Sequence, residues 1–85
     1  MKKIVVYAMK GCSSCMQAET LLKSRGVAFE KIMVDYEDDA KWDELYAMSG
    51  MKTLPQIWAG EQLIGGFPQL AEIDRKDRLA SLKGD

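Results

Sequence analysis

The sequence predicts an α/β domain in which helices flank a four-stranded mixed sheet, in the order β-α-β-α-β-β-α. Three observations carry this. Ile4-Val5-Val6-Tyr7-Ala8 is continuously apolar and rich in β-branched residues, the pattern of a strand buried on both faces of a parallel sheet. Apolar residues then fall at helical spacing before a second strand pattern, and such a βαβ unit has parallel strands joined by a right-handed crossover. Finally, Gln56-Ile57-Trp58 and Gln62-Leu63-Ile64 flank Ala59-Gly60-Glu61, which reads as a hairpin adding two antiparallel strands.

Taken in order, the first strand is Ile4–Ala8. A helix follows from Ser13 to Arg25, with Met16, Leu21 and Leu22 toward the core and Gln17, Glu19 and Lys23 outward. Gly26 suits the left-handed position that ends many helices. Val27 to Val34 forms the second strand, with Phe29, Lys31 and Met33 on one side and Ile32 and Val34 on the other. Asp35 to Asp39 is acidic and opens the second helix, where carboxylates favour the positive end of the dipole. Trp42, Leu45, Tyr46 and Met48 give that helix an apolar side, and Gly50 closes it. After the hairpin, Gly65-Gly66 breaks the last strand. Leu70, Ile73, Leu79 and Leu82 then mark one or two helical segments.

The chain of 85 residues is read as one domain spanning 1–85, since domains of this size hold a single core. An apolar fraction of 47%, a charged fraction of 29% and a net charge of −1 are those of an ordinary globule. They make no electrostatic case for a nucleic-acid partner. No apolar run approaches the ~18 residues of a membrane span. The opening Met1-Lys2-Lys3 and Ile4 to Met9 resemble a secretion signal only in outline, because the apolar run is short and ends in Lys10-Gly11-Cys12. A cytoplasmic monomer is the expectation. The methionines at 9, 16, 33, 48 and 51 read as core filler, and Trp42 and Trp58 as packing residues.

Both cysteines lie in Cys12-Ser13-Ser14-Cys15, where the strand gives way to a helix. Backbone N–H groups at a helix start have no intrahelical partner, and the dipole there is positive. Both effects favour a thiolate, the species that attacks disulfides. A purely structural disulfide across so short a loop contributes only about 2 kcal/mol on the chain-entropy model. Tetrahedral zinc needs four ligands, and the chain has no histidine and no third cysteine, so no metal is expected. The motif points to redox chemistry at Cys12.

Strand, CxxC and helix in a compact α/β chain resemble the thioredoxin-like superfamily, and three further features resemble the glutaredoxins within it. Thr53-Leu54-Pro55 is similar to that family's Thr-Val-Pro motif, Gly65-Gly66 to its glycine pair, and Phe67 through Leu82 to its terminal helical pattern. Thioredoxin itself matches less well, since Gly11 and Val6 stand where it carries a tryptophan and a buried aspartate.

The resemblance implies a thiol–disulfide oxidoreductase acting on protein or glutathione mixed disulfides. Cys12 is then the nucleophile and Cys15 the resolving thiol, with Lys10 helping to activate Cys12. It implies a cis bond before Pro55 that turns the Leu54 backbone toward a bound peptide, as in strand addition. It also implies a glutathione or substrate site drawn from Lys10, Ser14, Thr53, Leu54, Pro55, Gly65, Gly66 and Phe67, in which the glycines admit a carboxylate to the last helix. Glutathione would be the reductant.

The chain departs from the family's pattern at Ser13-Ser14 in place of Pro-Tyr, at Met9 in place of a basic residue, and at Pro68, which has no N–H to offer an anion. Phe67 and Gln69 keep theirs. These departures open a second donor, thioredoxin reductase, as in glutaredoxin-like hydrogen donors to ribonucleotide reductase. Ser13 also raises a [2Fe–2S] carrier with Cys12 as cluster ligand. A peptide-binding module with idle cysteines is the third reading.

Overall fold

The computed structural model describes residues 3–82. Its elements are β1 (Ile4–Ala8), α1 (Ser13–Ser24), β2 (Glu30–Met33), α2 (Asp39–Ser49), β3 (Gln56–Ala59), β4 (Gln62–Gly65) and α3 (Phe67–Asp77), followed by a 3-10 turn at Ala80–Leu82. The four strands form one sheet in the order β2-β1-β3-β4. β1 and β2 run parallel, with Val6 opposite Lys31. β3 is antiparallel to both β1 and β4, with Val6 opposite Ile57 and Trp58 opposite Leu63. This is the predicted β-α-β-α-β-β-α order and mixed sheet.

Side chains alternate across a strand, and β1 divides accordingly. Ile4, Val6 and Ala8 are buried and Val5 and Tyr7 half-buried. The expectation of burial on both faces is corrected here. α1 and α3 cover one face, where Ile4, Val6, Ala18, Leu22, Val27, Ile57, Ala59, Leu70 and Leu79 form the core. On α2 only Leu45 is buried. Fully burying a leucine such as Leu22 or Leu70 stabilises the fold by roughly 1.5–3 kcal/mol.

Other expectations also shift. Met16, Met33 and Met48 are 63%, 52% and 47% exposed, so these three do not fill the core. Met16 lies on the α1 face turned away from Leu22, and Met33 sits on β2, an edge strand with one neighbour. Tyr46 is exposed and Trp42 half-buried, so the apolar side of α2 is largely uncovered, while Trp58 is buried. The ladder of β2 begins at Glu30 rather than Val27, because the Val27 amide closes the end of α1 on Leu22 O at 2.9 Å.

Local chemistry accounts for the helix ends. Asp38 caps α2 by accepting from the Lys41 amide at 3.1 Å, and Gly50 ends it with φ 73. Arg25 at the end of α1 grips Asp74 of α3 through Nε–Oδ1 at 2.7 Å and Nη2–Oδ2 at 3.2 Å, fixing the two helices against each other. The chain after α3 reverses through Arg78 and Leu79, at φ 55 and 63. Left-handed backbone costs a non-glycine residue roughly 1–2 kcal/mol, which complete burial of Leu79 offsets. Among the described residues, no helix is long and apolar enough to cross a membrane.

Candidate active site

After β1 the chain turns through Lys10-Gly11 into α1, and Gly11 makes that turn at φ 78. Cys12 is the N-cap of α1. Its Sγ accepts the Cys15 amide hydrogen at 3.2 Å, so sulfur takes the role that an oxygen plays in common caps. Cys15, one turn along, is 1% exposed and Cys12 9%. The two form a disulfide with Cα atoms 5.3 Å apart. Ala8, Cys12 and Cys15 make a small cluster against which Met9 and Leu54 pack.

The Leu54–Pro55 peptide bond is cis. Leu54 O lies 3.8 Å from Cys12 Sγ, and Pro55 is buried behind it. The loop that carries them is tied at both ends. Ser49 Oγ donates to Leu45 O at 2.8 Å and accepts from the Met51 amide at 2.9 Å. Gln56 Nε2 donates to Met51 O at 3.2 Å and Thr53 O at 3.4 Å.

The glycine pair reaches the same place from β4. A Cβ on Gly66 would lie 3.5 Å from Pro55 O, which sets the start of α3 beside the cis peptide. Gly65 adopts φ 126, and a Cβ there would fall 2.8 Å from Gln69 Cγ. Glycine is therefore required at 65 on both counts. Gln69 Oε1 accepts the Gly66 amide hydrogen at 2.9 Å, the reciprocal half of a capping box. Pro68 occupies the second helical position, where its missing N–H is one that the helix leaves unpaired anyway.

Of the residues singled out in the sequence, the structure brings Cys12, Cys15, Leu54, Pro55 and Gly66 together. Phe67 is half-buried and faces the first turns of α1, sharing a surface hollow with Ser13, Met16, Gln17 and Thr20. Ser14 and Thr53 are exposed. Lys10 is exposed as well and borders a separate hollow with Met9, Met33, Val34, Asp35 and Tyr36. Sequence reasoning missed Gln56 and passed over the side chain of Gln69. A polar residue within the otherwise apolar start of β3, and a glutamine three residues after Gly66, were the available signals.

The hydrogen bond from Arg25 holds the Asp74 carboxyl below its ordinary range, against partial burial that pushes it up. The same bond raises Arg25. Among the described residues no group of three or more histidine, cysteine, aspartate or glutamate side chains is placed to hold a metal ion.

The family model for glutaredoxin matches residues 4–64. A glutaredoxin from Pseudomonas aeruginosa is 35% identical over 82 residues, covering 96% of each chain. Glutaredoxin 3 of Escherichia coli K12 is also 35% identical over 82 residues, covering 96% of this chain and 98% of its own. Among solved structures, a buckwheat glutaredoxin–glutathione complex superposes with a TM-score of 0.86 at 26% identity, over 95% of this chain and 76% of that one. Glutaredoxin 1 from Francisella tularensis, complexed with cacodylate, gives a TM-score of 0.78 at 28% identity, over 89% of this chain and 95% of that one. The chain belongs to the glutaredoxin family, and Cys12 and Cys15 form its dithiol CxxC active site.

Proposed function

We propose that this thiol–disulfide oxidoreductase works through Cys12 as nucleophile and Cys15 as resolving thiol. The observation that carries the assignment of roles is the N-cap geometry. Cys12 sulfur holds the Cys15 amide hydrogen at 3.2 Å, whereas Cys15 is enclosed. An N–H aimed at sulfur at the positive end of a helix favours the thiolate.

In the first step Cys12 thiolate attacks one sulfur of the substrate disulfide. A Cys12–substrate mixed disulfide forms and the other substrate sulfur leaves as thiolate. Cys15 then loses its proton and attacks Cys12 Sγ, forming Cys12–Cys15 and releasing the second substrate thiolate. The substrate gains two electrons and the protein dithiol loses them. The Leu54 backbone, beside Cys12, is the edge along which an extended substrate would pair.

Glutathione is the reductant we assign, supported by the buckwheat relative solved as a glutathione complex. One glutathione thiolate opens Cys12–Cys15, and a second releases oxidised glutathione. Lys10, Ser14, Thr53, Leu54, Pro55, Gly65, Gly66 and Phe67 are the candidate contacts. A second donor, thioredoxin reductase with NADPH, is favoured by a specific feature, since Pro68 and the engaged Gly66 amide leave the start of α3 fewer free N–H groups for a carboxylate. Mixing the oxidised protein with each donor and following the appearance of thiols decides between them. The donor that reduces it rapidly is the physiological class.

The cluster-carrier reading asks for four thiolates, and one chain supplies two cysteines, so Cys12 would need ligands from outside the chain. Visible absorption after anaerobic reconstitution with iron and sulfide tests it, and a colourless protein rules it out.

A further inference from the structure

We infer that Gln56 is a positioning residue for substrate, holding the Leu54 backbone at its place beside Cys12. The inference rests on the dithiol reading above and adds a residue to it. Gln56 is completely buried, and its two polar atoms fare differently. Nε2 donates to Met51 O at 3.2 Å and to Thr53 O at 3.4 Å, while Oε1 has no hydrogen-bond partner among the described residues. An unpaired buried acceptor costs about 1–3 kcal/mol. Methionine or leucine would fill the same space without that cost, so what Gln56 contributes here is its donor pair.

What those donors hold is the segment 51–55, which lies outside every helix and strand. Ser49 Oγ fixes the Met51 amide at one end, and Gln56 fixes the carbonyls of Met51 and Thr53. Leu54 is thereby confined between a tethered carbonyl and the buried Pro55. Its own carbonyl stands 3.8 Å from Cys12 Sγ, and its side chain packs on the Ala8–Cys12–Cys15 cluster. A Leu54 backbone that drifts from this place misaligns the edge on which an extended peptide would pair, and each aligned hydrogen bond lost there weakens binding. Gln56 touches no reacting atom and acts through Leu54.

The role predicts a split between substrates. A disulfide-bonded peptide pairs with the Leu54 backbone, whereas bis(2-hydroxyethyl) disulfide has no backbone to pair. The full-length protein, Gln56→Met and Gln56→Asn are assayed with both disulfides, and thermal unfolding is recorded for each variant. Gln56→Met keeps the volume and removes the donors, and its KM for the peptide should rise about tenfold, the scale of a lost aligned hydrogen bond or two. Its kcat, and both constants for the small disulfide, should stay within about twofold. Gln56→Asn retracts the donors by one methylene and should move the peptide KM in the same direction, which keeps the test in force if Gln56→Met does not fold. Equal impairment of both substrates, or no change in the peptide KM, overturns the role of Gln56. A wild-type protein inert toward both disulfides overturns the dithiol reading instead.

Discussion

The side chain of Gln69 lies across the glycine pair, its Cγ 2.8 Å from where a Gly65 Cβ would stand and its Oε1 2.9 Å from the Gly66 amide nitrogen. The amide that an anion at the start of α3 would use is therefore satisfied within the chain. A bound carboxylate has to displace Gln69 before it gains that hydrogen bond.

Removing the carboxamide should consequently help a carboxylate-bearing substrate. Gln69→Ala is expected to lower KM for a glutathione mixed disulfide by several-fold, the free-energy scale of one charge-assisted hydrogen bond less its competitor. A mixed disulfide with 2-mercaptoethanol should be unaffected. The helix start loses part of its cap, at roughly 0.5–1 kcal/mol of stability, which thermal unfolding will show. A glutathione-substrate KM that is unchanged or higher in Gln69→Ala sets the competition aside.

The ion pair between Arg25 and Asp74 makes stability depend on acid. Its hydrogen bond lowers the Asp74 carboxyl in the folded protein, so the folded state binds that proton more weakly than the unfolded chain does. The contribution is present above the unfolded value, about 3.9, and is lost as pH falls through the depressed folded value. Urea unfolding between about pH 6 and pH 2 should show wild type losing more stability on acidification than Asp74→Asn. Parallel pH curves for the two proteins contradict this.

Exposure of Met16 separates two neighbours on one helix. Met16→Gln should change stability by less than about 0.5 kcal/mol, whereas Leu22→Ala, in the sealed core, should cost about 2–5 kcal/mol. Chemical unfolding of both variants checks the pair. A large loss in Met16→Gln means that the face is covered by something.

Much of the fold was legible because its elements announce themselves locally. Ile4–Ala8, the glycine-ended helices and the turn at Ala59-Gly60-Glu61 follow from side-chain period and turn chemistry, which neighbours in sequence determine. What the pattern could not supply was which faces other elements cover. Met16 and Met48 look like core residues by spacing, yet no element among the described residues buries them, and β1 is sealed on one side only. At the site, Cys12, Cys15 and the Leu54–Pro55 bond were legible from motif and resemblance. Gln56 and Gln69 were not, because their roles depend on which backbone carbonyls and amides the folded loop 51–55 and the turn at Gly65 bring within reach of their side chains, which residue identity does not display.

The roles of the two sulfurs admit a direct measurement. Cys15→Ser and Cys12→Ser are each mixed with a disulfide substrate and read by mass spectrometry under non-reducing conditions. With the N-cap sulfur as nucleophile and the enclosed one as resolver, Cys15→Ser should accumulate one substrate adduct on Cys12, and Cys12→Ser should form none and reduce nothing. An adduct on Cys15, or disulfide reduction that survives in Cys12→Ser, contradicts the assignment.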